Sequence, residues 1–251
     1  MRIVISSGHG FYVKGASGLM DEVTEARRVV ARVVEYMEQC GAEVDKFHED
    51  LAKNDKDNIN NTIAYHNRQT RDLDLSIHFN ATKEGIIRDG GIGVETCYFM
   101  GNQTTRSLAS KVSRAISQAS GLTLRRIDGT FAKGTEVGFL ARTTAPAILI
   151  EVCFVDSRTD VRLYRENFDR ICQVIAETIT GIKVPQVTPP QPEHWAAPLL
   201  NELRGTGITI TDKRYRDALL RGESFAVFLQ IMQRVVAIEK EFAELKNFLA
   251  H

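Results

Sequence analysis

Arg2-Ile3-Val4-Ile5-Ser6-Ser7-Gly8-His9-Gly10 decides how the chain is read. Residues 2–6 form a short apolar run of the kind that makes a buried strand, and Gly8-His9-Gly10 turns the chain at once. Residues 22–39 then place Val29, Val30, Val33, Val34 and Met37 at helical spacing, and Gly41 stops the run. Residues 43–47 return to a short strand. The same alternation continues outward. Residues 58–70 read as a polar helix, 73–79 and 93–99 as strands, and 105–120 as a helix ending at Gly121. Residues 147–152 are another buried strand, and 164–182 a single closing helix with Phe168, Ile171, Cys172, Ile175 and Ile179 on one face. Strands alternating with helices predict an α/β layered domain with a mostly parallel sheet flanked by helices.

Composition narrows the class. Of 251 residues 43% are apolar and 25% charged, ordinary values for a soluble globular chain with one large domain and room for a small appendage. Lys plus Arg number 32 and Asp plus Glu 32, so the basic excess expected of a nucleic-acid binder is missing. No apolar run approaches the ~20 residues of a membrane helix, so no stable membrane insertion is expected. The first residues have too short an apolar stretch for a signal peptide, which predicts synthesis in the cytoplasm without one. Cys40, Cys97, Cys153 and Cys172 are widely spaced among apolar neighbours and read as buried free thiols.

Four of the six prolines fall between Pro185 and Pro192. Proline fixes its own φ and lacks an N–H, so residues 183–192 read as an extended linker. It separates a body of residues 1–182 from a small helical module, residues 193–251.

Chemistry concentrates at the predicted strand ends. His9 comes directly after the first strand, His78 ends another in Leu75-Ser76-Ile77-His78-Phe79-Asn80-Ala81, and Glu151 closes the apolar run Pro146-Ala147-Ile148-Leu149-Ile150. Side chains at the carboxyl ends of neighbouring strands converge on one crevice in an open α/β sheet. Glu22, opening the first helix just after the His9 loop, can lean into it. Two histidines and a carboxylate are a recurrent catalytic zinc set, and a second carboxylate can shuttle the proton such a site needs. His9, His78, Glu22 and Glu151 supply that inventory. Burial at the end of an apolar strand is expected to raise the Glu151 pKa, unless Arg142 or Arg158 pairs with it. His48, in an acidic stretch, and His66, on the polar helix, read as surface residues or as outer partners of the site.

These stretches, taken in order from Ser7-Gly8-His9-Gly10 through Glu22 and Ser76–Ala81 to Pro146–Ser157, resemble the amidase-3 family of zinc-dependent N-acetylmuramoyl-L-alanine amidases. That family includes bacterial wall hydrolases and phage endolysins. The resemblance covers residues 1 to about 182. It implies a Rossmann-like fold and cleavage of the amide between N-acetylmuramic acid and the L-alanine of the peptidoglycan stem. It also implies that His9, Glu22 and His78 bind Zn2+, with Glu25 as the competing third ligand, and that Glu151 is the catalytic acid/base. Arg142 and Thr143 are candidates for substrate contact, and Asn80 for orienting the His78 turn. The family's first motif usually reads Asp-x-Gly-His-Gly-Gly. Here Ser6 replaces the acid and Phe11 comes after Gly10, while Cys153 replaces the usual glycine before Phe154. The endolysin type further implies release to the wall through a membrane pore made by another protein. The alternatives are a zinc peptidase or deacetylase acting on another wall amide, and a non-catalytic wall-binding protein.

The tail opens Glu193-His194-Trp195-Ala196, and its last helix repeats Phe225, Phe228, Met232, Val235, Ile238, Phe242, Leu245 and Leu249 at spacings of three or four. Such a face needs a partner. It predicts a wall-binding or self-association module, with a faint resemblance to S-layer-homology-type modules. A homodimer through this helix is one expectation; packing on the body is the other.

Overall fold

A parallel pair, β1 (Arg2–Ser7) beside β2 (Glu43–Phe47), begins the sheet, with Ile3 opposite Val44 and Ile5 opposite Lys46. In this computed structural model the described residues are 1–82, 86–125, 132–135 and 137–185, with residues 234, 235, 238, 239 and 242 of the tail. Their remaining strands are β3 (Leu73–Asn80), β4 (Glu95–Phe99), β5 (Lys133–Thr135) and β6 (Ala147–Phe154). The spatial order is β2-β1-β3-β6-β4-β5, parallel throughout except for the antiparallel β4/β6 pair.

The helices are α1 (Glu22–Gln39), α2 (Asp55–Arg68), α3 (Gln103–Ser120), α4 (Gly138–Arg142), α5 (Arg158–Glu166) and α6 (Phe168–Thr180). α1 starts where Asp21 accepts the Thr24 N–H at 2.9 Å, and Glu22 and Glu25 sit in its first turn, where the helix dipole favours negative charge. Gly121 ends α3 at φ 77°, a left-handed cap that needs no side chain.

Alternation along the strands divides the interior in two. Ile148 and Ile150 of β6 join Ile5, Leu75 and Ile77 against α1, α3 and α6 in the larger cluster. Ala147 and Leu149, on the opposite face, join Cys97, Ile63 of α2 and Phe139 and Leu140 of α4 in a much smaller one. The first face is sealed. The second is thinly covered, which leaves room for a cavity above the strand ends. All four cysteines are buried and free.

Several boundaries differ from those expected of the sequence. The 164–182 stretch is two helices, because Asn167 leaves helical geometry (φ −120°, ψ 16°) and its Nδ2 donates to the carbonyls of Leu163 and Ser120. α2 starts earlier than expected, at Asp55, because Asn54 caps it. β5 and α4 are not foreshadowed in the sequence, because three and five residues carry no period. The edge strand β2 is largely exposed and carries Glu43, Asp45 and Lys46.

The chain divides into two compact units, Met1–Gln186 and Val187–His251. In the second, residues 234, 235, 238, 239 and 242 are helical. The expectations for most of the proline-rich stretch, for the Trp195 segment and for the rest of the tail helix lie outside the described residues. No helix among the described residues is long and apolar enough to cross a membrane.

Asp160 ties the segment before β4 to β6. Its buried carboxylate accepts the N–H groups of Ile92 at 2.9 Å, Gly93 at 2.8 Å and Phe154 at 3.2 Å. Asp160→Ala leaves these donors unpaired and should cost about 3 kcal/mol, read as a lower urea midpoint at unchanged slope.

Candidate metal and catalytic site

The carboxyl end of β1, the later halves of β3 and β6 and the start of α1 meet at the thinly covered face; His78 and Glu151 lie inside their strands rather than at the ends expected, because β3 runs on to Asn80 and β6 to Phe154. His9 lies just past β1 in a loop fixed to β3 by the Gly8 N–H donating to Ile77 O at 2.7 Å. Its φ is 60°, the one positive value for a non-glycine residue among those described. A left-handed conformation of this kind costs about 1 kcal/mol or more and persists where surrounding structure enforces it. Here it turns the imidazole toward His78, with ring centroids 5.3 Å apart and planes at 77°. His9, Glu22 and His78 each offer a ligand atom within 4.8 Å of the others, the one such group of three found among the described residues.

Glu22 is 2% exposed and satisfied on both oxygens. Oε1 lies 3.0 Å from His78 Nδ1 and accepts the Phe79 N–H at 3.0 Å, while Oε2 accepts the Ala16 N–H and faces His9 Nε2 at 3.7 Å. Desolvation works to raise its pKa, but the His78 hydrogen bond and the charges of His78 and His9 outweigh it, and the carboxyl is held below its usual range. Desolvation likewise opposes charge on both histidines. It prevails at His9, whose pKa is lowered, whereas Glu22 raises that of His78. His78 Nε2 lies 3.0 Å from Ser76 Oγ.

Two glycines make this packing feasible. A Cβ on Gly8 would overlap the His78 ring, and one on Gly15 would overlap the Glu22 carboxylate and the His9 ring. A side chain at either position would have to displace these groups.

Glu151 stands directly opposite His78 in the β3/β6 register. Desolvation, the largest influence, pushes its pKa up to about 7. Its Oε2 is buried with no hydrogen-bond partner among the described residues. It lines a cavity of about 390 Å³ with His9 and His78, floored by Leu149, Cys97 and Lys133 of the sheet and covered by α2 and Phe139 of α4. Across β4, Glu95 is 1% exposed and sits opposite Glu151. Lys133 Nζ donates to its Oε1 at 3.0 Å and Arg125 Nε lies 2.8 Å from Oε2.

The other expected residues sit elsewhere. Glu25 accepts from Arg28 at 2.8 and 3.0 Å and from the Tyr164 hydroxyl at 2.7 Å, one helical turn away from the cluster. Asn80 donates to Glu95 and accepts from Ala81; Ser76, rather than Asn80, touches the His78 ring. Arg142 donates to Asn60 on the surface, and the Thr143 hydroxyl donates back to the Phe139 carbonyl, so neither lines the cavity. Arg158 pairs with Asp89, not Glu151. His48 is half-buried, with Nδ1 2.8 Å from Ser7 Oγ, and its pKa is lowered to about 4 by desolvation and by Arg27 and Lys46. His66 is no surface residue. It is wholly buried, 2.7 Å from Asp74 and edge-on to Phe139. Ser6, in place of the acid, is buried with its hydroxyl unpaired among the described residues.

Glu95, Lys133 and Gly15 do not stand out in the sequence. Glu95 and Cys97 alternate correctly for one face of a strand, a signal that could have flagged Glu95. Lys133 lies in a strand too short to show one.

The N-acetylmuramoyl-L-alanine amidase family matches residues 3–181. An uncharacterised 38.4 kDa protein of Clostridium perfringens is 34% identical over 184 residues, covering 71% of this chain and 51% of that protein. A second uncharacterised protein, from strain 13 / Type A of the same species, is 29% identical over 196 residues, covering 76% of this chain and 55% of its own. The chain thus spans about half the length of these relatives. Among solved structures, the catalytic domain of the CD27L endolysin targeting Clostridia difficile superposes with a TM-score of 0.63 at 20% identity, covering 73% of this chain and 99% of that one, a likeness of fold. With residues 3–181 matched, the chain belongs to the N-acetylmuramoyl-L-alanine amidase family.

Proposed function

We propose that this protein is a zinc-dependent peptidoglycan hydrolase that cleaves the amide between N-acetylmuramic acid and the stem L-alanine. The observation that carries the reading is the convergence of His9, Glu22 and His78 within 4.8 Å, beside a buried, unpartnered oxygen of Glu151. Two imidazole nitrogens and one carboxylate oxygen suit zinc, and three protein ligands leave a further position open. They fit magnesium or calcium poorly, since those ions prefer oxygen throughout. When bound, zinc supplies Lewis-acid polarisation of the amide carbonyl and makes water acidic enough to attack.

The chain's own residues do the rest. Glu151 accepts the proton of the attacking water on its unpartnered oxygen. It then delivers that proton to the alanine nitrogen, without which the amine cannot leave. Desolvation suits Glu151 to both halves of that task, because it makes the carboxylate a better base for the water's proton and leaves an acid that can return it. Ser76 and the Phe79 N–H orient His78 and Glu22, and the cover from α2 and α4 limits water around the reacting amide.

Residues 1–182 carry the catalytic role in this proposal, residues 183–192 that of a linker, and residues 193–251 wall binding or self-association. It extends to an endolysin's setting, with release through a pore formed by another protein. Sedimentation of the full chain, and its retention on purified sacculi as the Glu151→Gln variant, test the tail.

Three outcomes test the chemistry. Digested peptidoglycan should yield free stems beginning in L-alanine and intact glycan strands by mass spectrometry, with activity lost to a zinc chelator; cuts within the stem would move the bond. Glu151→Gln should keep zinc and lose at least about 100-fold in kcat, whereas His78→Ala should lose both. Gly15→Ala, which removes no ligand, should weaken zinc binding about tenfold or more by displacing Glu22 and His9, measured by competition with a chromogenic chelator.

A further inference from the structure

The far wall of the cavity carries a cation that the proposed chemistry does not use. Lys133 on β5 lines the same cavity as Glu151, and its side chain is 42% exposed. Its Nζ is bonded to Glu95, but Glu95 does not depend on it. Arg125 lies 2.8 Å from one Glu95 oxygen, and Asn80 donates to the other at 3.1 Å. Arg125 is itself held over the Phe154 ring, 4.7 Å from its centroid. The buried Glu95 carboxylate therefore faces two cations, Glu151 is the second acid near Lys133, and Lys133 is the cation that lines the cavity. Asp55, the acid on α2 that also lines it, sits toward His9 at the opposite end.

The spacing suggests what Lys133 meets. β6, β4 and β5 are successive neighbours and Lys133 is level with Leu149, so its backbone lies two strand spacings across and two residues along from that of Glu151, about 12 Å. An extended peptide advances about 3.3–3.6 Å per residue. A stem leaving the scissile nitrogen at Glu151 and running along the sheet floor brings its second residue within reach of the lysine side chain. In peptidoglycan that residue is a γ-linked D-glutamate, whose α-carboxyl is a free acid in some walls and an amide in others.

We propose that Lys133 binds the α-carboxylate of the second stem residue and selects free-acid stems over amidated ones. The inference rests on the amidase reading above. A charge-assisted bond from an ammonium to a carboxylate is stronger than one to a neutral amide, and substituting the amide also discards the ionic attraction.

The experiment compares kcat/KM on two muropeptides that differ only in amidation of the second residue. The wild-type protein should cleave the acid about tenfold faster. Lys133→Gln should bring the ratio close to one, and Lys133→Arg should retain the preference. Because the readout is a ratio of substrates on one protein, a general change at Glu151 cancels. Equal cleavage by the wild type, or a preference that survives Lys133→Gln, would overturn the proposal. Failure to cleave either substrate would count against the amidase reading itself.

Discussion

The burial of the Glu22 carboxylate is the interaction around which the site is arranged. An isolated charge at 2% exposure would cost several kcal/mol, and the fold meets that cost with two backbone N–H groups and two imidazoles. The four partners come from three stretches: Ala16 from the loop after β1, Phe79 and His78 from β3, and His9 from the turn. Satisfying one carboxylate therefore fixes the loop, the strand end and both histidines together. Gly8 and Gly15 answer to the same constraint, because the groups that gather round Glu22 leave no space for a Cβ.

The two faces of the sheet explain why the site lies where it does. The α1/α3/α6 face holds the larger apolar cluster and gives the sheet its rigidity. The α2/α4 face has a small cluster and a cavity in place of a full second layer. Alternation on β6 sends Ile148 and Ile150 to the first and Leu149 and Glu151 to the second, so one strand supplies both packing and chemistry. The antiparallel β4 places Glu95 opposite Glu151 and extends the floor of the cavity toward Lys133.

Much of this was legible in the residues. His9, His78 and Glu151 announced themselves as polar groups closing apolar runs, and Glu22 as an acid opening a helix just after the His9 turn. Periodicity placed β1, α1, β3, α3 and β6 to within a residue or two. The features that stayed hidden depended on contacts distant in sequence. Asn167 breaks the last helix because its side chain reaches the carbonyl of Ser120. His66 reads as a polar-helix residue until Asp74 and Phe139 enclose it. Nor does the sequence show that Glu25 is engaged by Tyr164, which donates its hydroxyl proton to it from 139 residues away.

The outer strands have a consequence for how the protein behaves in concentrated solution. A sheet that ends in a flat, apolar strand offers unpaired backbone groups to any neighbouring chain. Here one border, β2, carries Glu43, Asp45 and Lys46, with Phe47 drawn inward to stack on Tyr65 at 4.1 Å. The other border among the described residues, β5, spans Lys133–Thr135. A second copy adding a strand beside β2 would meet mixed charge, so the sheet resists growing into aggregates through that border.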